Sequence, residues 1–391
     1  MNVRALAVAF ALTQSAAAQS VTTLRDVMRI DGATEDITGQ GLTTLVLPGN
    51  RVAFFDHGRG EFVFFDSTGK RTGTFGRSGE GPGEFGSVQG RNYPLQVGLI
   101  GDSIWVTNSR QRRHTIIGPD MKFVRMFLWQ PIVPPVTTYR SLAVLDGDRV
   151  VARVDYGESR PITLPDGRES RTWTTTESGY AVLAKDGSVE RRLATLPPGG
   201  ATVMISRPNQ PIGRTANVPF GHSNLFTESP RSDRVAFVTN TVTGTAGTFT
   251  VTVTRTNGEQ VYAKSYAYTP EPITSRMRDS ALRRSDSSIN RGTNPDDNAE
   301  LIKMVHERMP TTIGPFREVT LGLDGSVWLR KAGPNEGPDE YVVIDATGTQ
   351  LPNVRMPRKN MRLHTGSRTT VWATETDADG FVSLVRMIPA R

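Results

Sequence analysis

The sequence predicts an all-β fold: a six-bladed β-propeller closed by an N-terminal strand, with a short helical insertion between blades 4 and 5. Three observations predict it. A strand-and-turn pattern occurs six times, a spare β-like segment precedes the first copy, and 38 glycines and 25 prolines in 391 residues favour many turns over long helices. We therefore expect residues 19–391 to form one propeller domain, with the helical insertion at about residues 275–309.

Residues 41–85 contain the first unit in full. Three apolar runs, Leu42–Leu47, Arg51–Phe55 and Glu61–Phe65, alternate with turns rich in Gly, Asn and Asp. The turn Asp66-Ser-Thr-Gly69 then leads into a fourth strand. Short β-rich runs between such turns are typical of an antiparallel meander.

Six copies of this unit can be identified by a turn residue followed by a β-branched residue and then an aromatic or small apolar residue. The six marks are Asn50-Arg-Val-Ala-Phe54, Asp102-Ser-Ile-Trp-Val106, Asp148-Arg-Val-Val-Ala152, Asp233-Arg-Val-Ala-Phe237, Asp324-Gly-Ser-Val-Trp-Leu329 and Thr369-Thr-Val-Trp-Ala373. Each mark follows a run that we predict to be the innermost strand of its blade. These runs are Thr43–Leu47, Gln96–Ile100, Tyr139–Val144, Ser223–Thr227, Glu318–Leu323 and Met361–Thr365.

The sixth unit lacks an outer strand, because only Pro389-Ala-Arg391 follow its third run. The segment Val21–Ile30 is β-like and has no partner in its own neighbourhood. Pairing these two ends would close the ring and hide exposed sheet edges. We expect this pairing.

The glycine-rich stretch that ends the first unit carries a family resemblance. Gly69-Lys-Arg-Thr-Gly-Thr-Phe-Gly-Arg-Ser-Gly-Glu-Gly-Pro-Gly-Glu-Phe85 resembles the G-x-x-G-R-x-G-x-G-P-G-E-F stretch of exported bacterial six-bladed propellers related to NHL-repeat and TolB-like propellers. With the blade pattern, the resemblance extends over roughly residues 20–391 and implies the propeller fold and export. It implies little about activity.

The N-terminus resembles a secretory signal peptide over residues 1–18. A short positive region, an apolar core and Ala16-Ala-Ala18 ahead of Gln19 supply its three parts. The apolar core is too short to span a bilayer, for which ~20 residues are needed. The absence of cysteine excludes a disulfide framework, a thiolate zinc site and a lipid-bearing cysteine. We expect a periplasmic or secreted monomer without a membrane span.

The net charge of +7 raises the question of an anionic partner. The 46 basic residues are scattered among 39 acidic ones without a long basic run, so we interpret them as a solvated surface and expect no nucleic-acid binding.

Two insertions interrupt the repeats. Asn294 before Pro295-Asp-Asp predicts a helix from Pro295 to about Arg308, ended by Pro310, and a weaker helix is predicted from Ser275 to Arg284. The other insertion, residues 157–179 and 197–219, is rich in Pro, Gly, Arg and Thr and predicts loops.

Three local patterns suggest chemistry that their context does not support. Gly81-Pro-Gly-Glu-Phe-Gly86 matches a dinucleotide fingerprint but precedes no helix, and we expect a blade-linking turn with Phe85 packed between blades. Glu375-Thr-Asp-Ala-Asp-Gly380 begins like a calcium loop but has Arg386 at its twelfth position, which predicts a hairpin turn. His306-Glu307 lacks the second histidine of a zinc motif, and the five histidines are spread along the chain, with His57 expected at a surface or rim.

The central channel is the remaining candidate site. Polar residues on the predicted inner strands are Gln96, Arg140, Ser141, Asn224, Glu318, Arg362 and His364. This set has few carboxylates for a metal, and two arginines suit an anionic group. We therefore predict a non-enzymatic binding or scaffold module for a protein, peptide or cell-envelope glycan, without catalytic residues, metal ligands or a cofactor. The alternative, based on Glu318, Asn224 and His364, is a metal-dependent propeller hydrolase or lyase, for which calcium is possible.

Overall fold

The computed structural model describes residues 21–37, 43–56, 59–85, 96–108, 111–163, 169–196, 202–205, 214–221, 224–291, 294–333 and 337–390. Within these ranges the chain is a six-bladed β-propeller whose blades are antiparallel four-stranded sheets. The predicted signal peptide, His57, His222 and Gly86 lie outside the described residues. No helix in the described ranges is long and apolar enough to cross a membrane.

The first two blades follow the predicted meander. Two short N-terminal strands, β1 (Val21–Thr22) and β2 (Leu24–Ile30), precede them. Blade 1 contains β3 (Thr43–Leu47), β4 (Arg51–Asp56), β5 (Glu61–Phe65) and β6 (Arg71–Phe75). Blade 2 contains β7 (Gln96–Ile100), β8 (Ser103–Asn108), β9 (Arg113–Ile117) and β10 (Phe123–Leu128).

Blade 3 is longer than predicted. It contains β11 (Val136–Leu145), β12 (Arg149–Thr163), β13 (Glu169–Leu183) and β14 (Val189–Leu196). The prediction of loops over residues 157–179 is wrong, because β12 and β13 stay paired as far as Thr163 and Glu169. The Thr-rich stretch favours strand, and Pro161 is tolerated because β12 is an edge strand beyond its last pair with β11 at Tyr156.

A second hairpin replaces the other predicted loop. Strands β15 (Thr202–Ile205) and β16 (Arg214–Asn217) pair within the stretch 197–219. Blade 4 follows with β17 (Leu225–Glu228), β18 (Arg234–Thr243), β19 (Ala246–Arg255) and β20 (Gln260–Tyr268).

The helical insertion lies between blades 4 and 5, as predicted. It contains β21 (Glu271–Pro272), α1 (Ser275–Ile289), α2 (Pro295–Arg308) and β22 (Thr312–Ile313). The pairing of β21 with β22 brings the two ends of the insertion together, so blade 5 can start where blade 4 ends. Helix α2 has the predicted bounds, and the Asn294 side chain caps it. Helix α1 continues beyond the predicted Arg284, because Ile289 packs with Leu301 and Val305 of α2.

The last two blades close the ring. Blade 5 contains β23 (Phe316–Leu321), β24 (Val327–Lys331), β25 (Glu340–Ile344) and β26 (Asn353–Arg355). Blade 6 contains β27 (Met361–Gly366), β28 (Val371–Thr376) and β29 (Val382–Pro389), and β2 pairs antiparallel with β29 as its fourth strand. The predicted closure is confirmed. In addition, β1 pairs parallel with β26, so the N-terminal segment spans two blades.

Ion pairs reinforce this closure. Arg29 of β2 donates from Nη1 to Oε2 of the buried Glu375 at 2.5 Å. Arg358 donates from Nε to Glu375 Oε1 at 2.6 Å and from Nη2 to Asp26 Oδ2 at 2.8 Å. Burial opposes ionisation of Glu375, but the two guanidinium groups outweigh it and hold its pKa below the usual value. Glu375 is therefore structural, and Asp377 caps a hairpin turn by accepting from the backbone N–H groups of Asp379 and Phe381, as predicted.

The repeated apolar positions form the blade cores. The β-branched residue of each mark is at most 3% exposed, and these residues are Val52, Ile104, Val150, Val235, Val327 and Val371. Phe85 is buried against Phe55 of blade 1 and Leu99 of blade 2, which confirms the predicted packing of the linking turn between blades. Gly76 in this turn has φ of 99°, and a Cβ there would meet the Phe85 ring at 2.7 Å.

Candidate functional site in the central channel

The turns that follow two inner strands form hydrogen bonds to other blades. The turn after β17 crosses from blade 4 to blade 2, where Pro230 O accepts from Leu99 N at 2.8 Å and Ser232 Oγ accepts from Trp105 Nε1 at 3.0 Å. In the turn after β23, Leu323 N donates to Gly366 O of blade 6 at 3.2 Å. Both turns lie at the carboxyl ends of their inner strands and join blades to one another.

One group of polar side chains lies between blades 5 and 6. Three residues in register across β23, β24 and β25, which we call the blade 5 row, are Glu318, Arg330 and Tyr341. Arg362 of blade 6 donates from Nη2 to Glu318 Oε1 at 2.8 Å, and Arg330 lies 3.6 Å from Glu318 Oε2 and 3.0 Å from Asp339 Oδ2. Every charge in this row therefore has an oppositely charged neighbour.

The blade 5 row is also tied to the backbone of blade 6. The buried Tyr341 accepts from Leu363 N at 3.2 Å, and burial raises its pKa to about 12. One residue further on, the pKa of His364 is lowered to about 4 by burial and by the positive charge of Arg362, against a hydrogen bond to the Thr44 backbone. His364 is therefore neutral near pH 7 and held at the junction of blades 6 and 1.

Blade 3 has a matching row with different charges. Three residues in register across β11, β12 and β13, which we call the blade 3 row, are Arg140, Arg153 and Tyr180. Both arginines are exposed, and neither forms an ion pair with any residue that the structure describes. In the amide orientation that satisfies both groups, Gln96 accepts from Arg140 Nη2 at 3.2 Å and donates to the Ser141 carbonyl.

Glu228 of blade 4 is the carboxylate near the blade 3 row. Burial raises its pKa to about 7, against the weaker opposing influence of Arg140. Tyr180 stacks on Phe226, two residues before Glu228, with ring centroids 3.4 Å apart and planes 4° from parallel. Burial also raises the pKa of Tyr180. The blade 3 row thus faces blade 4, with two guanidinium groups and a carboxylate that is partly protonated at neutral pH.

The structure brings four of the seven polar residues on the predicted inner strands into two pairs, Gln96 with Arg140 and Glu318 with Arg362. His364 lies beside Arg362, and Asn224 lies partly buried ahead of β17. Sequence reasoning missed Arg153, Tyr180 and Glu228. Arg153 could have been noticed as a charged residue inside the buried run of β12. Glu228 is the last residue of β17, an inner strand whose end was predicted one residue too early, at Thr227.

Among the side chains that the structure describes, no group of three or more His, Asp or Glu residues could hold a metal ion. Glu318 is bound by arginines, and His364 is bonded to backbone. Two of the three residues that motivated the metal-dependent alternative, Glu318 and His364, therefore have other contacts.

Comparisons with known proteins identify the fold. No protein-family model and no curated protein sequence matches the chain. A member of the DUF4221 family from Bacteroides vulgatus has a similar structure, with a TM-score of 0.50, 12% identity, and coverage of 94% of this chain and 98% of that chain.

Two more distant likenesses carry different descriptions. Virginiamycin B lyase from Staphylococcus aureus matches with a TM-score of 0.40, 10% identity, and coverage of 93% and 99% of the two chains. The calcium-binding protein regucalcin from Agrobacterium tumefaciens matches with a TM-score of 0.35, 10% identity, and coverage of 95% and 97%. At 12% identity the likeness to the DUF4221 member extends to the fold alone, and the chain is a six-bladed β-propeller.

Proposed function

We propose that this chain is an exported, monomeric, non-enzymatic binding protein that holds an anionic group of a peptide or cell-envelope ligand against Arg140 and Arg153. The observation that supports the proposal most is the pair of exposed, neighbouring guanidinium groups in the blade 3 row. Neighbouring like charges repel and add no stability to the sheet, whereas a carboxylate or phosphate can accept hydrogen bonds from both. The equivalent positions of the blade 5 row are already neutralised.

Glu228 would respond to the ligand, because an anion beside a partly protonated carboxyl group favours its neutral form. Binding should therefore be accompanied by proton uptake near pH 7.

The test measures binding of three probes, a poly-glutamate peptide, polygalacturonate and inorganic phosphate, to the mature chain. The double variant Arg140→Gln, Arg153→Gln should lower affinity by about tenfold or more for at least one probe, because charge-assisted hydrogen bonds are lost. The matched control, Arg71→Gln with Arg191→Gln, changes net charge equally on exposed outer strands. Equal losses in both double variants, or no binding of any probe by the parent chain, would contradict the proposal.

The alternative function, a metal-dependent hydrolase or lyase, has a separate test. Metal analysis of the purified chain and thermal melts with added calcium or zinc would reveal a stoichiometric ion or a shift in Tm. Either result would favour the alternative. Export is tested by N-terminal sequencing of protein from the periplasm or medium, where cleavage after residue 18 would leave Gln19 as the first residue.

A further inference from the structure

A second polar and apolar cleft lies in the insertion, away from the channel. It has a volume of about 560 Å³ and is formed by α1, the hairpin strand β16 and the residues that follow this strand. Volumes of roughly 300–1,000 Å³ are usual for small-molecule sites. None of the channel residues discussed above lines it.

The elements around the cleft form a packed unit. Val203 and Ala216 of the hairpin share a buried apolar cluster with Ile289 of α1 and with Leu301 and Val305 of α2. The hairpin and the helices come from distant parts of the sequence and meet through this cluster and through polar contacts of Arg214. The cleft is therefore supported by a core of its own, as a preformed binding site requires.

Two guanidinium groups give the cleft its charge. Arg214 donates from Nη2 to Asn298 Oδ1 at 2.7 Å and from Nη1 to Asn294 O at 3.2 Å, and its Nη1 lies 3.8 Å from the buried Asp297. These contacts fix its orientation at the start of α2. Arg284 is exposed and donates to Ser280 Oγ at 3.0 Å, without an ion pair among the described residues. No carboxylate is among the residues that line the cleft.

The rest of the lining is apolar or neutral. Ala281, Ile289 and Leu301 contribute buried apolar surface, and Ser288 contributes a hydroxyl group. Phe220 lies at the cleft with φ of 56°, a left-handed conformation that is rare for a bulky residue and occurs mainly where the surroundings impose it. A cationic end beside apolar surface complements a molecule with one anionic group and an apolar body.

We propose that this cleft binds a small organic anion, a monocarboxylate with an apolar chain or ring, whose carboxylate contacts Arg284 and Arg214 and whose apolar part lies against Phe220 and Ile289. This site is independent of the anion site proposed for the channel. It gives the insertion a ligand of its own.

The test uses decanoate as the probe, with decanol as an uncharged match of equal chain length, and isothermal titration calorimetry of the mature chain. We expect saturable decanoate binding and at least about tenfold weaker decanol binding, because decanol cannot accept charge-assisted hydrogen bonds as a carboxylate does. Arg284→Gln should weaken decanoate binding by about tenfold. Arg283→Gln, which changes the same charge on the neighbouring exposed residue outside the lining, should leave it unchanged.

A second variant fills the cleft without touching its charges. Ser288→Trp, at an exposed position of α1, should abolish decanoate binding while circular dichroism and Tm stay as in the parent chain. The channel variant Arg140→Gln, Arg153→Gln should bind decanoate normally. The proposal for the cleft can therefore be tested even if the proposal for the channel fails. Absence of saturable decanoate binding, equal binding of decanol, or equal effects of Arg284→Gln and Arg283→Gln would each overturn the proposal.

Discussion

Blades 3 and 5 have corresponding rows of side chains, and these rows differ at the innermost position. The rows are Arg140, Arg153 and Tyr180 in blade 3 and Glu318, Arg330 and Tyr341 in blade 5. With Glu318 in that position, the row pairs with Arg362 and is tied to the next blade. With Arg140 there, two like charges stand side by side.

We interpret the charged side chains of the blade 5 row as stabilising the fold and those of the blade 3 row as available to a ligand. In the blade 5 row, Glu318 and Arg330 form ion pairs and Tyr341 forms a hydrogen bond, so each member of the row has a partner within the protein. The two arginines of the blade 3 row and the nearby Glu228 of blade 4 form no ion pair among the described residues. If this interpretation is right, changes in the blade 5 row should cost stability, whereas changes in the blade 3 row or at Glu228 should cost little or even stabilise.

The largest expected effect is a gain in stability from Glu228→Gln at alkaline pH. The folded-state pKa of about 7 lies above the ordinary value of 4.5, so the native chain binds an extra proton between these values. The associated stability is complete below pH 4.5 and is lost as the pH rises through 7. We expect the variant to be more stable than the parent chain by about 2 kcal/mol at alkaline pH. This is less than the full shift in the pKa of Glu228 would give, because the side chain is partly exposed to water.

Urea unfolding at about pH 5 and about pH 8 checks this prediction, because linkage confines the gain to the higher pH. The parent chain should lose stability between the two conditions, and Glu228→Gln should lose less. A variant that is destabilised at both pH values would show that the carboxylate is held in its charged form by the channel arginines.

The second prediction compares the two tyrosines of the rows. Tyr341→Phe removes the acceptor of a buried backbone N–H group, that of Leu363, and should lower the free energy of unfolding by about 1–2 kcal/mol. Tyr180→Phe keeps the stack on Phe226, and the Tyr180 hydroxyl has no hydrogen bond among the described residues, so we expect less than about 0.5 kcal/mol. Urea titrations of both variants measure the difference. Equal losses would remove the proposed distinction between the rows.

How far the sequence could predict this structure depended on whether a signal was local. Helix α2 was predicted to its exact bounds because Asn294, Pro295 and Pro310 mark its ends within the helix's own sequence. The inner strands β3 and β7 were exact for the same reason, since turn residues flank them. The pairing of β12 with β13 over residues 157–163 and 169–175 was missed, because the Gly and Pro residues of this Thr-rich stretch imitate loop composition.

The candidate site was predicted only in part for a different reason. The alternation of apolar and polar residues shows which strands are half-buried, but it does not show which neighbouring blade a polar side chain faces. Gln96 and Arg140 were named, yet their contact depends on how blades 2 and 3 pack. Arg153 lies on a second strand and Glu228 at the end of an inner strand, and both reach the channel region through blade packing that no local pattern encodes.

The third prediction concerns the ion pairs of the blade 5 row. Glu318→Gln keeps the shape of the side chain but removes the charge that Arg362 and Arg330 share, and we expect a loss of about 1 kcal/mol because Glu318 is partly exposed. Arg140→Gln at the corresponding inner position of blade 3 should cause no loss. Thermal melts of both variants at low salt measure the contrast, and a larger loss for Arg140→Gln would reverse the assignment of roles.

The smallest expected effect is a gain from Arg153→Gln. Arg140 and Arg153 are directly opposite across β11 and β12, and like charges in such a pair destabilise a sheet by roughly 0.2–1 kcal/mol. Removing one charge should therefore raise the free energy of unfolding by about 0.5 kcal/mol at low salt, and about 0.5 M NaCl should largely abolish the gain by screening. The matched control is Arg71→Gln, which changes net charge equally on the exposed outer strand of blade 1. Urea unfolding of both variants at the two salt concentrations separates local repulsion from net charge. If Arg153→Gln lowers stability, or if Arg71→Gln gives the same salt-dependent gain, the two arginines are not a repelling pair, and the blade 3 row would be as well satisfied as the blade 5 row.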